Sequence, residues 1–248
     1  MLVDTHFHLD LMKNMQSLIK EFHGANLGII AVGTTPLAYN RDLQFIDGID
    51  NIRIGLGFHP QLVEQRGYEI DLFLQQLKGA RYIGEVGLDF NKDYVMSKAQ
   101  QLSCFRRIAK ECASEGKKVL SIHGVKAIST VIDTLKEAGT FQSCTCIFHW
   151  FTGTASERKN AIENGAYFSI NSKMLKTKSG QETIYNIPAN RILLETDAPF
   201  TMKFNSVREL RDELENIASR ISLIRGENVF SQIEENSMYL FHPDKKGC

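Results

Sequence analysis

Val119-Leu120-Ser121-Ile122-His123 is an apolar run that closes on an imidazole, and four more runs close on a histidine or an acid. Downstream, Cys146-Ile147-Phe148-His149 ends the same way. Upstream, Ile83-Gly84-Glu85 ends in a carboxylate. Val3-Asp4-Thr5-His6-Phe7-His8 opens the chain with two histidines, and Ile192-Leu193-Leu194-Glu195-Thr196-Asp197 closes the set with two acids. Short apolar runs of this kind read as strands. Every chemically capable residue sits at the same end of its run. If the strands are parallel, His6, His8, Glu85, His123, His149 and Asp197 meet at one face of one sheet. Four imidazoles and two carboxylates gathered in this way point to a metal site with two ions, and hence to a metal-dependent hydrolase.

Working outward, eight runs read as strands: 2–6, 28–33, 53–58, 82–86, 118–122, 144–149, 166–170 and 191–196. Amphipathic stretches lie between them, at Met12 to Phe22, Tyr39 to Ile46, Tyr68 to Leu77, Lys98 to Glu115, Ile128 to Ala138, Ala155 to Asn164 and Lys178 to Asn186. In the longest, Leu102, Phe105, Ile108, Ala109 and Cys112 share one face. Strict strand–helix alternation predicts a parallel sheet. Eight such units in 248 residues predict a closed (β/α)8 barrel of the TIM type, with a doubly wound open sheet as the competing architecture. Ser206 to Ser222 and Glu227 to Leu240 are predicted as extra C-terminal helices. No linker, low-complexity tract or repeat of fixed period interrupts the pattern, so a single domain over 1–248 is expected.

The bulk composition narrows the partners. Lys+Arg and Asp+Glu number 29 each, so no net field advertises nucleic acid or a lipid surface, although a local basic groove is compatible with that balance. Five cysteines, Cys104, Cys112, Cys144, Cys146 and Cys248, are an odd count in a chain too long to need cross-links. Reduced, buried or half-buried thiols are expected. The first strand begins at once, with no basic-then-apolar leader and no long uncharged apolar stretch. A cytoplasmic protein without membrane attachment is expected.

Each site residue has a specific reason. His6 and His8 are two apart, and strand side chains alternate, so both imidazoles face one way while Phe7 points into the packing layer. Glu85 stands among Gly84 and Gly87, which let the backbone bend and let something approach closely. Its two carboxylate oxygens suit it to bridge two ions. Asp89 is placed in the following loop, in a turn-stabilising or supporting role. Neutral imidazole suits zinc, manganese and iron; mixed imidazole and carboxylate ligation also suits manganese or magnesium beside phosphate oxygens. Asp197 precedes Ala198-Pro199, where the strand must end. It is read as ligand and proton acceptor, with Glu195 supporting the ligands from behind. His59, in Gly57-Phe58-His59-Pro60, lies outside the ligand set and is read as a rim contact to substrate phosphate. His23 and His242 are read as structural.

Taken together these stretches resemble the TatD family of metal-dependent deoxyribonucleases, among the amidohydrolase-like barrels. The resemblance runs from Val3-Asp4-Thr5-His6-Phe7-His8-Leu9-Asp10 to Leu194-Glu195-Thr196-Asp197-Ala198-Pro199. Between them lie Gly57-Phe58-His59-Pro60, Ile83-Gly84-Glu85-Val86-Gly87-Leu88-Asp89-Phe90 and His149-Trp150-Phe151-Thr152-Gly153, in family order. The resemblance implies that His6, His8, Glu85 and Asp197 hold one ion and Glu85, His123 and His149 the second. It implies that His59 contacts substrate. Two loops depart from the family pattern. Gly124-Val125-Lys126-Ala127 follows His123 where a polar or charged residue is usual. Met202-Lys203-Phe204-Asn205-Ser206-Val207 replaces an Arg-Asn-Glu-Pro-like stretch. These loops resemble those of members encoded in bacterial antiphage gene clusters such as the Qat type, which implies antiviral defence and partner proteins from that system.

The expected chemistry is hydrolysis of DNA phosphodiesters. Two ions ~3.5–4 Å apart activate water and stabilise the departing oxygen. Single strands or ends fit a barrel-mouth pocket better than intact duplex, so an exonuclease acting as a monomer is expected. One alternative is an amidohydrolase or esterase acting on a small amide or lactone. Such enzymes often bridge their metals with a carboxylated lysine at the place Glu85 occupies, which favours the phosphodiester reading. The other alternative is a non-catalytic module with a structural metal site.

Overall fold

The computed structural model describes residues 1–242. Eight parallel strands close into a barrel in sequence order: β1 Leu2–Phe7, β2 Leu27–Val32, β3 Ile52–Phe58, β4 Tyr82–Asp89, β5 Val119–Val125, β6 Thr145–His149, β7 Tyr167–Ile170 and β8 Ile192–Leu194. Between and after them run α1 Met15–Phe22, α2 Pro36–Phe45, α3 Val63–Arg66, α4 Ile70–Leu77, α5 Lys98–Glu115, α6 Ile128–Ala138, α7 Thr140–Ser143, α8 Ala155–Glu163, α9 Lys178–Asn186, α10 Val207–Arg225 and α11 Phe230–Phe241. This is the TIM-type barrel expected from the alternation, with α10 and α11 as the extra helices. Among the described residues no helix is long and apolar enough to cross a membrane.

Most element boundaries fall within a few residues of the sequence expectation, and three strands differ in ways that bear on the site. β4 and β5 are longer, pairing as far as Asp89 with Val125, so Glu85 and His123 lie inside their strands and Asp89 closes β4. β8 is shorter. The Thr196 N–H is taken by the Asp4 carboxylate at 3.1 Å, so the backbone ladder stops and Glu195 to Asp197 form a bonded exit segment. The short helices α3 and α7 were too brief to leave a periodic signal.

The chain divides into two compact units. The first comprises 1–31, 42–54 and the residues from 168 onward. Its strands β1, β2, β7 and β8 are buried throughout, and β1 pairs with both β2 and β8. α10 lays Leu210, Leu214, Ile217 and Ile221 inward, a helical spacing that makes one apolar stripe. α11 crosses Gly28, where any Cβ would meet the Phe241 ring at 3.0 Å. Asn236 of α11 donates to the Ala189 and Ile192 carbonyls at 2.9 and 2.8 Å, which fixes the start of β8.

The second unit comprises 32–41 and 55–167. β3 to β6 pair in order. α5 buries Phe105, Ile108, Ala109 and Cys112, and its fully covered Gln101 clamps the end of β4. That amide donates to the Asp89 carbonyl at 2.9 Å and accepts from the Asp89 N–H at 2.8 Å. α8 begins with a reciprocal cap between Thr154 and Glu157. Cys104, Cys112 and Cys146 are buried free thiols and Cys144 is half-buried, as expected; Cys248 lies outside the described residues. Exposed His23 and the half-buried His242, which stacks edge-on against Phe241, take no part in the sites below.

Asn236→Ala should remove both hydrogen bonds, the one to the Ile192 carbonyl being buried, and lower stability by about 1–3 kcal/mol. Urea denaturation should show the midpoint falling at an unchanged m value.

Candidate metal centre

In the first unit, β1 delivers His6 and His8 as an alternating pair, and both imidazoles are buried. Their Nε2 atoms lie 3.3 Å apart. Asp197 Oδ1 is 3.7 Å from His6 Nε2 and 3.5 Å from His8 Nε2. The Asp197 N–H donates to the His6 carbonyl at 3.0 Å, so the exit segment after β8 is tied to β1. Asp197 takes a left-handed φ of 54°, which turns the chain towards Ala198-Pro199.

Two further acids brace this group. Asp4 accepts from the His6 N–H and the Thr196 N–H, both at 3.1 Å, and from the Thr196 hydroxyl at 2.5 Å. Burial pushes the Asp4 carboxyl up to about 8, against the lowering effect of those bonds. Glu195 accepts from the Asn171 amide at 2.8 Å and from the Ser169 hydroxyl, all three side chains being fully buried. Asp4 and the Ser169/Asn171 pair carried no assigned role in the sequence. Their signal is period two: Asp4 precedes His6 by two, and Ser169 precedes Asn171 by two at the end of β7.

The second unit holds a denser group. Glu85 Oε1 lies 2.6 Å from His123 Nδ1, 3.0 Å from His149 Nε2 and 3.3 Å from His59 Nε2. His149 Nε2 is 3.4 Å from His123 Nδ1. His59, Glu85 and His123 place one ligand atom each close enough together to hold an ion. His59 thus comes closer to Glu85 than a rim position suggests. Its Nδ1, however, accepts from the Gln61 N–H at 3.2 Å. A neutral imidazole that accepts at one nitrogen carries its proton on the other. His59 Nε2 then donates to Glu85 and offers no lone pair.

Asp89 sits behind His123. Its Oδ2 is 3.1 Å from His123 Nε2 and accepts from the Gln61 amide at 2.8 Å; its Oδ1 accepts from the Asn91 N–H at 2.9 Å. Burial would raise the Asp89 pKa, but the bonds from His123, Gln61 and Asn91 hold it below the usual carboxylate range. For His123, burial works against the charged form, yet the hydrogen bonds with Asp89 and Glu85 leave its pKa raised. Asp89 therefore both shapes its turn and orients a histidine. At Gly84 a Cβ would meet the Ser121 side chain at 2.9 Å, whereas the close approach at Gly87 is backbone against backbone. At Gly87, φ 144°, a Cβ would meet the His123 carbonyl oxygen at 2.0 Å.

A parallel barrel whose strand ends carry buried histidines and carboxylates belongs to the class of metal-dependent hydrolases. Residues 3–242 match the TatD-related DNase family, and the chain belongs to it. It is 27% identical to an uncharacterised metal-dependent hydrolase of Bacillus subtilis, covering 97% of this chain and 99% of that one. It is 26% identical to a 3'-5' ssDNA/RNA exonuclease TatD of Erwinia tasmaniensis, covering 93% and 94%. A human deoxyribonuclease is 25% identical over 97% of this chain and 94% of its own. The fold matches a TatD homologue of Escherichia coli with a TM-score of 0.81 at 19% identity, covering 97% of both chains.

Gly87→Ala should force β4 off the His123 backbone and destabilise the protein by about 3 kcal/mol or more. Loss of soluble, cooperatively unfolding protein on thermal denaturation checks this.

Proposed function

We propose that this chain, acting as one catalytic domain, hydrolyses phosphodiester bonds in DNA as a metal-dependent exonuclease on single strands or ends. One observation carries the reading. A single buried carboxylate oxygen of Glu85 has three imidazole nitrogens within 3.3 Å. His123 and His149 beside that carboxylate, out of water, are the donor chemistry of a divalent cation, while His59 bonds to it through a protonated Nε2. The His6, His8 and Asp197 group is a second set of the same kind. Relatives named as nucleases support phosphodiesters as the substrate.

In this reading His6, His8, Glu85 and Asp197 hold one divalent ion, and Glu85, His123 and His149 the other, with magnesium, manganese or zinc as the candidates. When bound, such ions make water a stronger acid and neutralise charge on the phosphoryl group. The chain's own side chains do the rest. Asp197 accepts the proton of the attacking water. His59, protonated at Nε2, donates to a non-bridging phosphate oxygen. Asp89 and Gln61 hold His123, while Asp4 and Glu195 hold the β1 and β8 exits in place. With no net positive charge to draw in a polyanion, DNA binding should be weak, and the phosphate contacts it does make should weaken further with salt. We further propose a cytoplasmic monomer; the two departing loops are the basis for placing it in antiphage defence with partner proteins.

Hydrolysis of a short single-stranded oligonucleotide should stop in excess EDTA and return on adding a divalent ion. Glu85→Gln keeps the side-chain shape but loses the charge that balances two cations, so it should lose metal and rate together. His59→Ala should keep its metal by elemental analysis. Its kcat/KM should fall by the worth of one charge-assisted phosphate contact, roughly 1.5–3 kcal/mol, or about ten- to a hundredfold. Full activity of metal-free protein, or turnover of small amides and lactones but not oligonucleotides, would overturn the proposal.

A further inference from the structure

Phe200 is an exposed aromatic ring on a fixed support. It lies three residues past Asp197 and is 63% exposed. Its backbone is pinned: the Phe200 N–H donates to the Asp197 carbonyl at 2.9 Å, and the Thr201 N–H reaches the same oxygen at 3.3 Å. The Thr201 hydroxyl donates to the Thr196 carbonyl. The preceding residue pair is tied down as well, because the His8 N–H donates to the Ala198 carbonyl at 2.9 Å. The ring stands perpendicular to the His8 imidazole with centroids 5.1 Å apart. A lone exposed phenylalanine on a surface needs no explanation. One locked in place against a candidate metal-binding histidine, with most of its surface open, is a platform beside the reacting atoms. Met202 and Lys203 are also exposed on this loop.

We propose that Phe200 positions the substrate by stacking on a nucleobase next to the scissile phosphate. This rests on the nuclease reading above. The ring stands 5.1 Å from the His8 imidazole, so a strand whose phosphate is held at His8 and Asp197 passes its flanking bases beside it. Stacking on an aromatic face is tolerant of sequence, because every base has such a face. The platform therefore selects single strands or frayed ends, whose bases are free to stack, over paired duplex. Lys203, on the same loop, adds a cation for the neighbouring phosphate. Phe200 acts on substrate binding and leaves the metal ligands as they are.

The test compares wild type with Phe200→Leu and Phe200→Tyr on two short single strands of equal phosphate count, one bearing bases and one built of abasic residues. Leucine keeps an apolar contact with His8 but has no aromatic face; tyrosine keeps the face. Phe200→Leu should lose about 5- to 150-fold in kcat/KM on the base-bearing strand, mostly through KM. It should match wild type on the abasic strand. Phe200→Tyr should match wild type on both, and elemental analysis should find the same metal content in all three. Binding of the same labelled strands by fluorescence anisotropy, in EDTA so that no cleavage intervenes, should show the same ordering in Kd. Equal rates and affinities for Phe200→Leu and wild type on the base-bearing strand overturn the inference. So does an equal loss on both strands, which would make the ring a support for His8. If wild type binds strands in a Phe200-dependent manner yet cleaves none with any divalent ion, the stacking platform stands and the nuclease reading falls. If wild type neither binds nor cleaves, both fall.

Discussion

A buried carboxylate oxygen surrounded by three imidazoles is a costly object, and the second unit is organised around it. Glu85 Oε1 is out of water, and so are most of the His123 and His149 side chains. Charged and polar groups removed from solvent are stable only when every one of them is bonded. The neighbouring structure meets that demand in a chain of contacts. His123 leans on Asp89, Asp89 on Gln61 and Asn91, and the Asp89 backbone on Gln101 of α5. The need for a tight β4–β5 approach at Gly87 follows from the same constraint, since the ring of His123 reaches Glu85 only if its backbone lies close.

The first unit solves the same problem with different means. There the histidines are adjacent on one strand, and the acid comes from the exit of another. Asp4 bonds to backbone and side chain of that exit, so the geometry of His6 and the path of Thr196 are set by one carboxylate. Burying a carboxyl so completely drives its pKa far up, and it is tolerated because three hydrogen bonds converge on it. Glu195, held by Ser169 and Asn171, does for β7 and β8 what Asp4 does for β1 and β8. Rigid supports of this kind fix ligand atoms before any ligand arrives, which is how a site on strand ends gains its precision.

The loop after Asp197 combines a fixed backbone with open side chains. Up to Pro199 the chain is pinned by backbone bonds to β1. Beyond it, Phe200, Met202 and Lys203 are exposed, with the Phe200 ring resting edge-on against His8.

Sequence by itself determined the alternation of strand and helix, the closed barrel, the extra helices and the identity of the chemically capable residues. All of these follow from periods of two and 3.6 and from motifs short enough to read along the chain. The roles of Asp4, Gln61, Gln101, Ser169 and Asn171 were decided only in three dimensions. Gln61 and Gln101 act by hydrogen bonds to groups distant in sequence, and nothing local marks them; Asp4, Ser169 and Asn171 leave only a period-two spacing that assigns no role. The same holds for His59. Its place within 3.3 Å of Glu85, and the tautomer that Gln61 imposes on it, depend on how β3 lies beside β4. Strand lengths, too, are set by tertiary pairing. β4 runs on because β5 is there to pair with it, and β8 stops because the Asp4 side chain takes the next backbone N–H.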